Sequence, residues 1–144
     1  MKWFSRWEVF ALASAFFAGL TALFGKIGVA DINSNFATLI RTFTIIVVTS
    51  LILFFRHEWQ RPETIGVKTC FFLILSGIAT GLSWLCYYRA LQLGPVSKVA
   101  SIDKLSVAFA ILLGIIFLGE KFTWPLAVGA GLIILGAVVV IFFR

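Results

Sequence analysis

The chain has 144 residues, of which 61% are hydrophobic and 12% are charged, and its mean hydropathy is +1.07. Soluble domains carry roughly 25% charged residues, so this composition excludes a soluble domain and indicates an integral membrane protein surrounded by the lipid bilayer. The formal charge of +6 comes from 12 Lys and Arg scattered one or two per junction, which argues against a nucleic-acid partner.

Charged residues, prolines and polar clusters divide the chain into five apolar runs, each close to the about 20 residues that a membrane-spanning helix needs. The predicted helices cover residues 7–28, 34–55, 69–91, 96–118 and 124–143. The link "VADINSN" offers turn and N-cap residues before the second helix, and Pro95 suits the first turn of the fourth. None of the long runs alternates as a barrel strand does. We predict an all-α integral membrane bundle of five helices in a single domain, 1–144.

Lysine and arginine counts in the links bear on orientation. The side of the N-terminus carries Lys2, Arg6, Arg56, Arg61, Lys68 and Lys121. The other side carries Lys26, Arg89, Lys98 and Arg144. Six against four weakly favours a cytoplasmic N-terminus in the cell (inner) membrane, and a bias this small also permits insertion in both orientations. Trp3, Trp7, Trp59 and Trp124 lie near predicted helix ends, where aromatic rings favour the headgroup level.

Ionisable residues lie inside three of the predicted helices, where such groups normally face a bundle interior or a water-filled cavity. Asp103 is seven residues past Val96, and Arg41 is seven residues past Ser34, so each lies about 10 Å from its helix end and near the midplane. Lys104 follows Asp103 at about 100° around the helix, so we expect each to need an outside partner, with Arg41 a candidate for Asp103. Lys26 is close enough to its helix end to snorkel. We predict that these four residues contribute to a polar substrate-binding site, with structural ion pairing as the alternative.

The third helix contains "SGIATGLSWLCYYRALQLG", in which Gly77, Gly81, Trp84 and Tyr88 fall on one face. The Gly-x-x-x-Gly pair predicts close helix packing. A buried indole or phenol needs a hydrogen-bond partner, so Trp84, Tyr87 and Tyr88 are candidates for substrate binding.

Enzyme chemistry has little support in this sequence. The single histidine, His57, lies in a polar link, and Cys70 and Cys86 show no metal-ligand spacing. We therefore predict no enzyme activity, no catalytic residues, no metal and no cofactor.

The segment "ALQLGPVSKVASIDKLSVAFAILLGIIFLGEKFTWPLAVGAGLIILGAVVVI" resembles the C-terminal part of an EamA-type unit of the drug/metabolite transporter superfamily. The resemblance rests on an Ala-Leu-x-x-Gly turn, a helix ending in Leu-Gly-Glu-Lys, and a Trp-bearing turn before a Gly-rich helix. The matching positions are Ala90, Leu91, Gly94, Leu118, Gly119, Glu120, Lys121 and Trp124. "FALASAFFAGLTALFGKIGVADINSNFATLIRTF" also resembles single-unit, five-helix members.

The resemblance implies a ten-helix architecture made by two units of opposite topology, of which this chain supplies one. The simplest source of the second half is another copy of the chain inserted upside down, because binding sites in such transporters lie between inverted repeats. Many two-unit members lack a charged pair at Asp103 and Lys104, so the resemblance does not identify a ligand for it.

These observations together predict a small-metabolite transporter that works by alternating access as an antiparallel dimer. Asp103 would bind a proton or a cationic group, while Arg41 and Lys104 would favour an anionic moiety, so an anionic or zwitterionic substrate is slightly favoured. Two alternatives remain open at this point: a non-transporting membrane subunit whose charges are interhelical pairs, and a lipid-linked sugar flippase.

Overall fold

The computed structural model describes residues 6–142, with the side chains of Arg6 and Pro62 excepted, and this part is helical with no strand. Its helices are α1 (Arg6–Gly28), α2 (Ser34–Arg56), α3 (Val67–Leu93), α4 (Val96–Asp103), α5 (Ser106–Leu118) and α6 (Trp124–Phe142), with a 3₁₀ turn at Pro62–Thr64. Five spans are long and apolar enough to cross a membrane, with α4 and α5 together forming the fourth. The predicted all-α, five-span fold class is confirmed. Predictions for Lys2, Trp3, Phe143 and Arg144 concern residues outside the described range.

Local sequence signals account for the helix ends. Asn33, one of several cap candidates in the link "VADINSN", caps α2, because its side-chain oxygen accepts hydrogen bonds from the backbone N–H of Asn35 at 2.9 Å and Phe36 at 3.3 Å. Gly119 ends α5 in the left-handed conformation, with φ +68°, which only glycine adopts at no steric cost. The backbone N–H of Glu120 then donates to the Gly114 carbonyl at 3.2 Å.

The fourth span is interrupted where one continuous helix was predicted. The α-helical assignment stops at Asp103 and resumes at Ser106. Across the break the backbone makes tighter i to i−3 hydrogen bonds, from Leu105 to Ile102 at 2.9 Å and from Ala108 to Leu105 at 3.0 Å. A 3₁₀ stretch inside a helix is uncommon, and it often marks a hinge or local strain. The break coincides with the charged pair of this span.

The described chain divides into two compact units, the first containing residues up to Phe24 and from Leu93 onward, and the second containing Gly25–Gln92. In the first unit, α6 packs along both α4 and α5. The Lys98 ammonium of α4 donates to the Ile141 carbonyl near the end of α6 at 2.9 Å. That hydrogen bond satisfies one of the carbonyls that a helix end leaves without an intrahelical donor.

The second unit has its best-buried residues where the end of α1 meets the end of α3. Val29 and Leu91 are fully buried, and Tyr88 is 6% exposed. A side chain added at Gly25 would lie 3.4 Å from both the Leu91 methyl and the Tyr88 hydroxyl, so the two helices touch here. Along the spans, by contrast, large apolar side chains such as Phe43 and Leu73 are exposed, as expected of surfaces that face lipid tails or another protein.

Candidate functional site

Arg41 lies at the end of the buried face of α2. Ser34, Ala37 and Thr38 are buried, and Arg41 follows them by seven, four and three residues, so the four share one face of the helix. The next residues on this face, Ile45 and Val48, are exposed. Arg41 is therefore at the edge of the packed region and is itself partly exposed.

The Arg41 guanidinium lies over the ring of Trp84 in α3, with its central carbon 3.3 Å from the ring centroid. At this distance the cation is in contact with the negative face of the indole π-system. Among the described residues, no oxygen accepts a hydrogen bond from the guanidinium. The contact thus holds the charge in place and leaves the N–H groups at the edge of the guanidinium plane available for a ligand.

Trp84 belongs to an aromatic cluster that it forms with Tyr87 and Tyr88. Its ring centroid lies 5.3 Å from that of Tyr87 in an edge-to-face arrangement and 5.7 Å from that of Tyr88. Both distances are in the favourable range for aromatic pairs. Tyr88 is buried, and it is close enough to Arg41 for the two side chains to interact electrostatically. The cluster gives the guanidinium a rigid aromatic support.

Lys26 approaches the same end of α3 as the aromatic cluster. Its ammonium donates a short hydrogen bond to the Leu91 carbonyl. Leu91 is three residues beyond Tyr88, so Lys26 is positioned beside the aromatic cluster and ties α1 to α3. Its partner is a backbone group, whereas the sequence suggested that Lys26 could simply snorkel to the interface.

Gln92 is a residue whose role was missed from the sequence. Its side-chain amide donates to the carbonyls of Val29 at 2.9 Å and Ile32 at 2.7 Å, and its own carbonyl accepts from Arg89 at 3.0 Å. It therefore fastens the end of α3 to the link after α1. The available signal was an uncharged polar side chain in the otherwise apolar run "ALQLG".

Asp103 and Lys104 form an ion pair with each other, with 3.7 Å between the lysine Nζ and an aspartate oxygen. The expectation that these neighbours cannot neutralise each other is wrong, because the long, flexible lysine side chain reaches back to the carboxylate. Both side chains are partly exposed, 38% for Asp103 and 56% for Lys104. They belong to the first unit, whereas Arg41 belongs to the second.

The structure thus brings together four of the predicted substrate-binding residues, Arg41, Trp84, Tyr87 and Tyr88, with Lys26 close to them along α3. Gly77 and Gly81, predicted for helix packing, lie on the same helix. A side chain added at either would meet nothing within 4 Å in the described chain. The face that these glycines share is open within one copy.

Comparisons with known proteins identify the family to which the chain belongs. The model of the EamA-like transporter family matches residues 5–142. The chain is 49% identical over 137 residues to an uncharacterized transporter in the cobO 3′ region of Sinorhizobium sp., covering 95% of this chain and 97% of the relative. It is 28% identical over 130 residues to an uncharacterized protein of Methanocaldococcus jannaschii, covering 90% and 92% of the two chains. No solved structure matches. With a family match over almost its whole length, the chain belongs to the EamA-like transporter family.

Proposed function

We propose that the chain is one half of a small-metabolite transporter, which works by alternating access as an antiparallel dimer in the inner membrane. Family membership supports transport rather than enzyme activity. The Sinorhizobium relative is named a transporter and is about as long as this chain, because the match covers 97% of it. A five-span unit needs a second unit to complete an inverted repeat. A second copy of the chain is the simplest source.

The observation that carries the proposal is the Arg41 guanidinium on Trp84. A charged side chain at the centre of a membrane helix costs about 2.5–3.5 kcal/mol on insertion scales, and such residues mark substrate or ion pathways. Here the charge is seated on an aromatic surface with its donors unused by the described residues. A guanidinium that served only to staple two helices would be expected to donate to an oxygen on one of them.

Asp103 and Lys104 form the second polar position of the proposed transporter. They lie at the break in the fourth span, and discontinuous helices in transporters place backbone groups and side chains near bound ions and substrates. We assign Asp103 the binding of a proton or a cationic group. Its binding would compete with the Lys104 ammonium for the carboxylate, so the ion pair is the group that changes state during the cycle.

The open face at Gly77 and Gly81 supports the dimer. A Gly-x-x-x-Gly pair lets two membrane helices approach closely, and within one copy nothing among the described residues lies against it. The small difference in Lys and Arg counts, six against four, is compatible with both orientations of the chain in one membrane. A second copy of the chain is the partner that we assign to this face.

Two charge variants test the antiparallel arrangement. Gln60→Lys with Glu63→Lys raises the count on the N-terminal side from six to eight and favours a cytoplasmic N-terminus. A second variant reverses the excess of Lys and Arg between the two sides. Reporter fusions at the C-terminus, one type active only in the cytoplasm and one active only outside, measure the orientation of each.

The opposite variant carries Ala30→Lys, Asp31→Lys, Arg61→Gln and Lys68→Gln, which changes the counts to four on the N-terminal side and six on the other. The readout of function is uptake by proteoliposomes of a defined mixture of amino acids, organic acids and nucleotide sugars. We expect the native chain to show both orientations, each variant alone to lose uptake, and co-expression of the two to restore it. Full uptake by either variant alone would contradict the antiparallel dimer, and no uptake by the native chain would favour a non-transporting subunit.

A further inference from the structure

The surroundings of the Arg41 guanidinium satisfy only one part of this group. Its flat face is covered by Trp84 at 3.3 Å. Its edge carries N–H donors in a fork that matches the two oxygens of a carboxylate. Within residues 6–142, no acceptor oxygen is bonded to that fork. The fork is therefore the part of the side chain at which an oxyanion would bind, in the plane of the guanidinium.

The acid that the sequence offered for this role is engaged elsewhere. Asp103 has its ion pair with Lys104 at 3.7 Å. The other nearby cation in the second unit, Lys26, donates to the Leu91 carbonyl. Arg41 is a positive charge in contact with an aromatic surface, partly exposed at the edge of the buried face of α2.

We propose that Arg41 is the receptor for the carboxylate of an amphipathic monocarboxylic acid, whose apolar or aromatic body rests on the cluster of Trp84, Tyr87 and Tyr88. The proposal rests on the transport function proposed above and names the substrate class of that site. A guanidinium balances one negative charge, so a monoanion forms a neutral pair with Arg41 in a low-dielectric environment. A cation would be repelled.

The stacked geometry explains why this receptor is selective. The indole face restricts the side-chain rotations of Arg41 before a ligand arrives, so less conformational entropy is lost on binding. The same aromatic cluster supplies an apolar surface next to the charge. An acid with an apolar body therefore gains from both groups, whereas an alcohol of the same shape gains only from the aromatic surface.

The test uses a variant in which Trp84 is the only tryptophan, with Trp3, Trp7, Trp59 and Trp124 replaced by Phe. The full chain is placed in phosphatidylcholine nanodiscs, and Trp84 fluorescence is measured against 4-phenylbutyrate, 4-phenylbutanol and 4-phenylbutylamine. We expect saturable binding of the acid, at least tenfold tighter than binding of the alcohol or the amine. Equal affinity for the acid and the alcohol, or no saturable binding of the acid, would overturn the proposal.

Substitution of the guanidinium distinguishes a geometric receptor from a simple positive charge. Arg41→Lys keeps the charge and removes the planar fork, so we expect roughly tenfold to hundredfold weaker binding of 4-phenylbutyrate, the range for losing a hydrogen bond to a charged group. The matched control is Arg56→Lys, because Arg56 is the last residue of α2 and pairs with Glu58 at 2.9 Å. Unchanged binding in Arg41→Lys, with its melting profile intact, would contradict the receptor role.

A lipid headgroup offers the same oxyanion chemistry as a free acid, and a second arm of the experiment separates the two sources. Nanodiscs containing phosphatidylglycerol replace those of phosphatidylcholine, and both are measured at high salt, which screens repulsion of the acid by the anionic lipid surface. Unchanged affinity for 4-phenylbutyrate supports a free carboxylate ligand, whereas a tenfold loss would assign the guanidinium to a lipid phosphate and overturn the proposal.

Failure of this inference is separable from failure of the transport function. Uptake of metabolites that persists in Arg41→Gln would remove Arg41 from the site and leave the chain a transporter. Tight binding of the acid without any uptake would support the receptor role of Arg41 and contradict the transport function.

Discussion

The two units of the molecule hold their membrane charges in different ways. In the second unit, Arg41 is supported by an aromatic ring, and no acceptor among the described residues is bonded to its donors. In the first unit, Asp103 and Lys104 neutralise each other at the break in the fourth span. One arrangement presents a net charge, and the other cancels it. A net charge binds ligands of opposite sign, whereas a neutral pair responds only to a group that separates it.

This difference also distinguishes the two positions by rigidity. The Trp84 support lies in a continuous helix of 27 residues, next to the buried residues Tyr88 and Leu91. The ion pair lies where i to i−3 hydrogen bonds replace the α-helical pattern. We expect the second unit to hold Arg41 in a fixed arrangement and the first unit to change conformation at the break in the fourth span.

The ion pair provides the largest expected effect on stability. Asp103→Ala and Lys104→Ala should each lower the free energy of unfolding by up to about 3 kcal/mol, because each leaves an unpaired charge in the membrane. The double variant should be close to the native chain. Reversible unfolding in mixed micelles measures all three.

The control for this double-mutant cycle is the ion pair between Arg56, at the end of α2, and Glu58, in the link that follows. The two groups are 2.9 Å apart and well exposed. Either substitution to Ala there should change the free energy of unfolding by less than about 1 kcal/mol. If the double variant of Asp103 and Lys104 is as unstable as the two single variants combined, the residues do not neutralise each other, and the contrast between the units fails.

The contact between α1 and α3 provides the next largest effect. Gly25→Leu should destabilise the second unit by about 1–3 kcal/mol, because the added side chain meets Leu91 and Tyr88 at 3.4 Å. Gly28→Leu is the matched control in the same turn of α1, where nothing lies within 4 Å. Thermal unfolding of the two variants should differ by several degrees. Equal melting temperatures would show that the end of α1 does not pack on α3.

Removing the support of the guanidinium should have a smaller effect on stability than on binding. Trp84→Leu loses the cation–π contact, which contributes about 1–2 kcal/mol when it is shielded from water, so binding of an acid should weaken by roughly 5- to 30-fold. Trp84→Phe keeps an aromatic face and should lose less. Isothermal titration with 4-phenylbutyrate measures both, with Trp59→Leu as the control in a link. Equal losses for Leu and Phe would mean that the ring serves only to fill space.

The sequence predicted correctly those features that depend on a single helix. Hydropathy and length predicted the five spans, and the polar residues before Ser34 predicted a cap for α2, which Asn33 provides. The spacing of Trp84 and Tyr88 placed them on one face of α3. These predictions depend on residues that are neighbours along the chain, where helical geometry fixes the distances.

Contacts between helices were less accessible from the sequence. Arg41 could be located in depth, yet nothing in the periodicity indicates that its face meets an indole instead of a carboxylate. The break after Asp103 has no proline or glycine to announce it. Gln92 and Lys98 bond to backbone carbonyls of other elements, and a carbonyl has no side-chain signature. Such partners are set by packing, which a single sequence does not reveal.

The smallest expected effects come from these two backbone-bonded side chains, and they compare the units directly. Hydrogen bonds inside membrane proteins contribute about 0.6 kcal/mol on average. Lys98→Met removes one bond, to the Ile141 carbonyl. Gln92→Leu removes two such bonds, to the carbonyls of Val29 and Ile32, and also the exposed hydrogen bond that Gln92 accepts from Arg89, so it should cost at least twice as much. Unfolding in mixed micelles measures both.

The region in which each variant loses stability distinguishes the two units better than the size of the loss. Hydrogen exchange should show faster exchange at the end of α1 and α3 in Gln92→Leu, because those elements lose their connection, with α6 unchanged. Lys98→Met should affect α4 and α6 alone. Faster exchange throughout residues 6–142 in either variant would mean that the two units unfold together. The difference in rigidity between the position of Arg41 and that of the Asp103–Lys104 pair would then not hold, and the two positions would differ only in the charge that each presents.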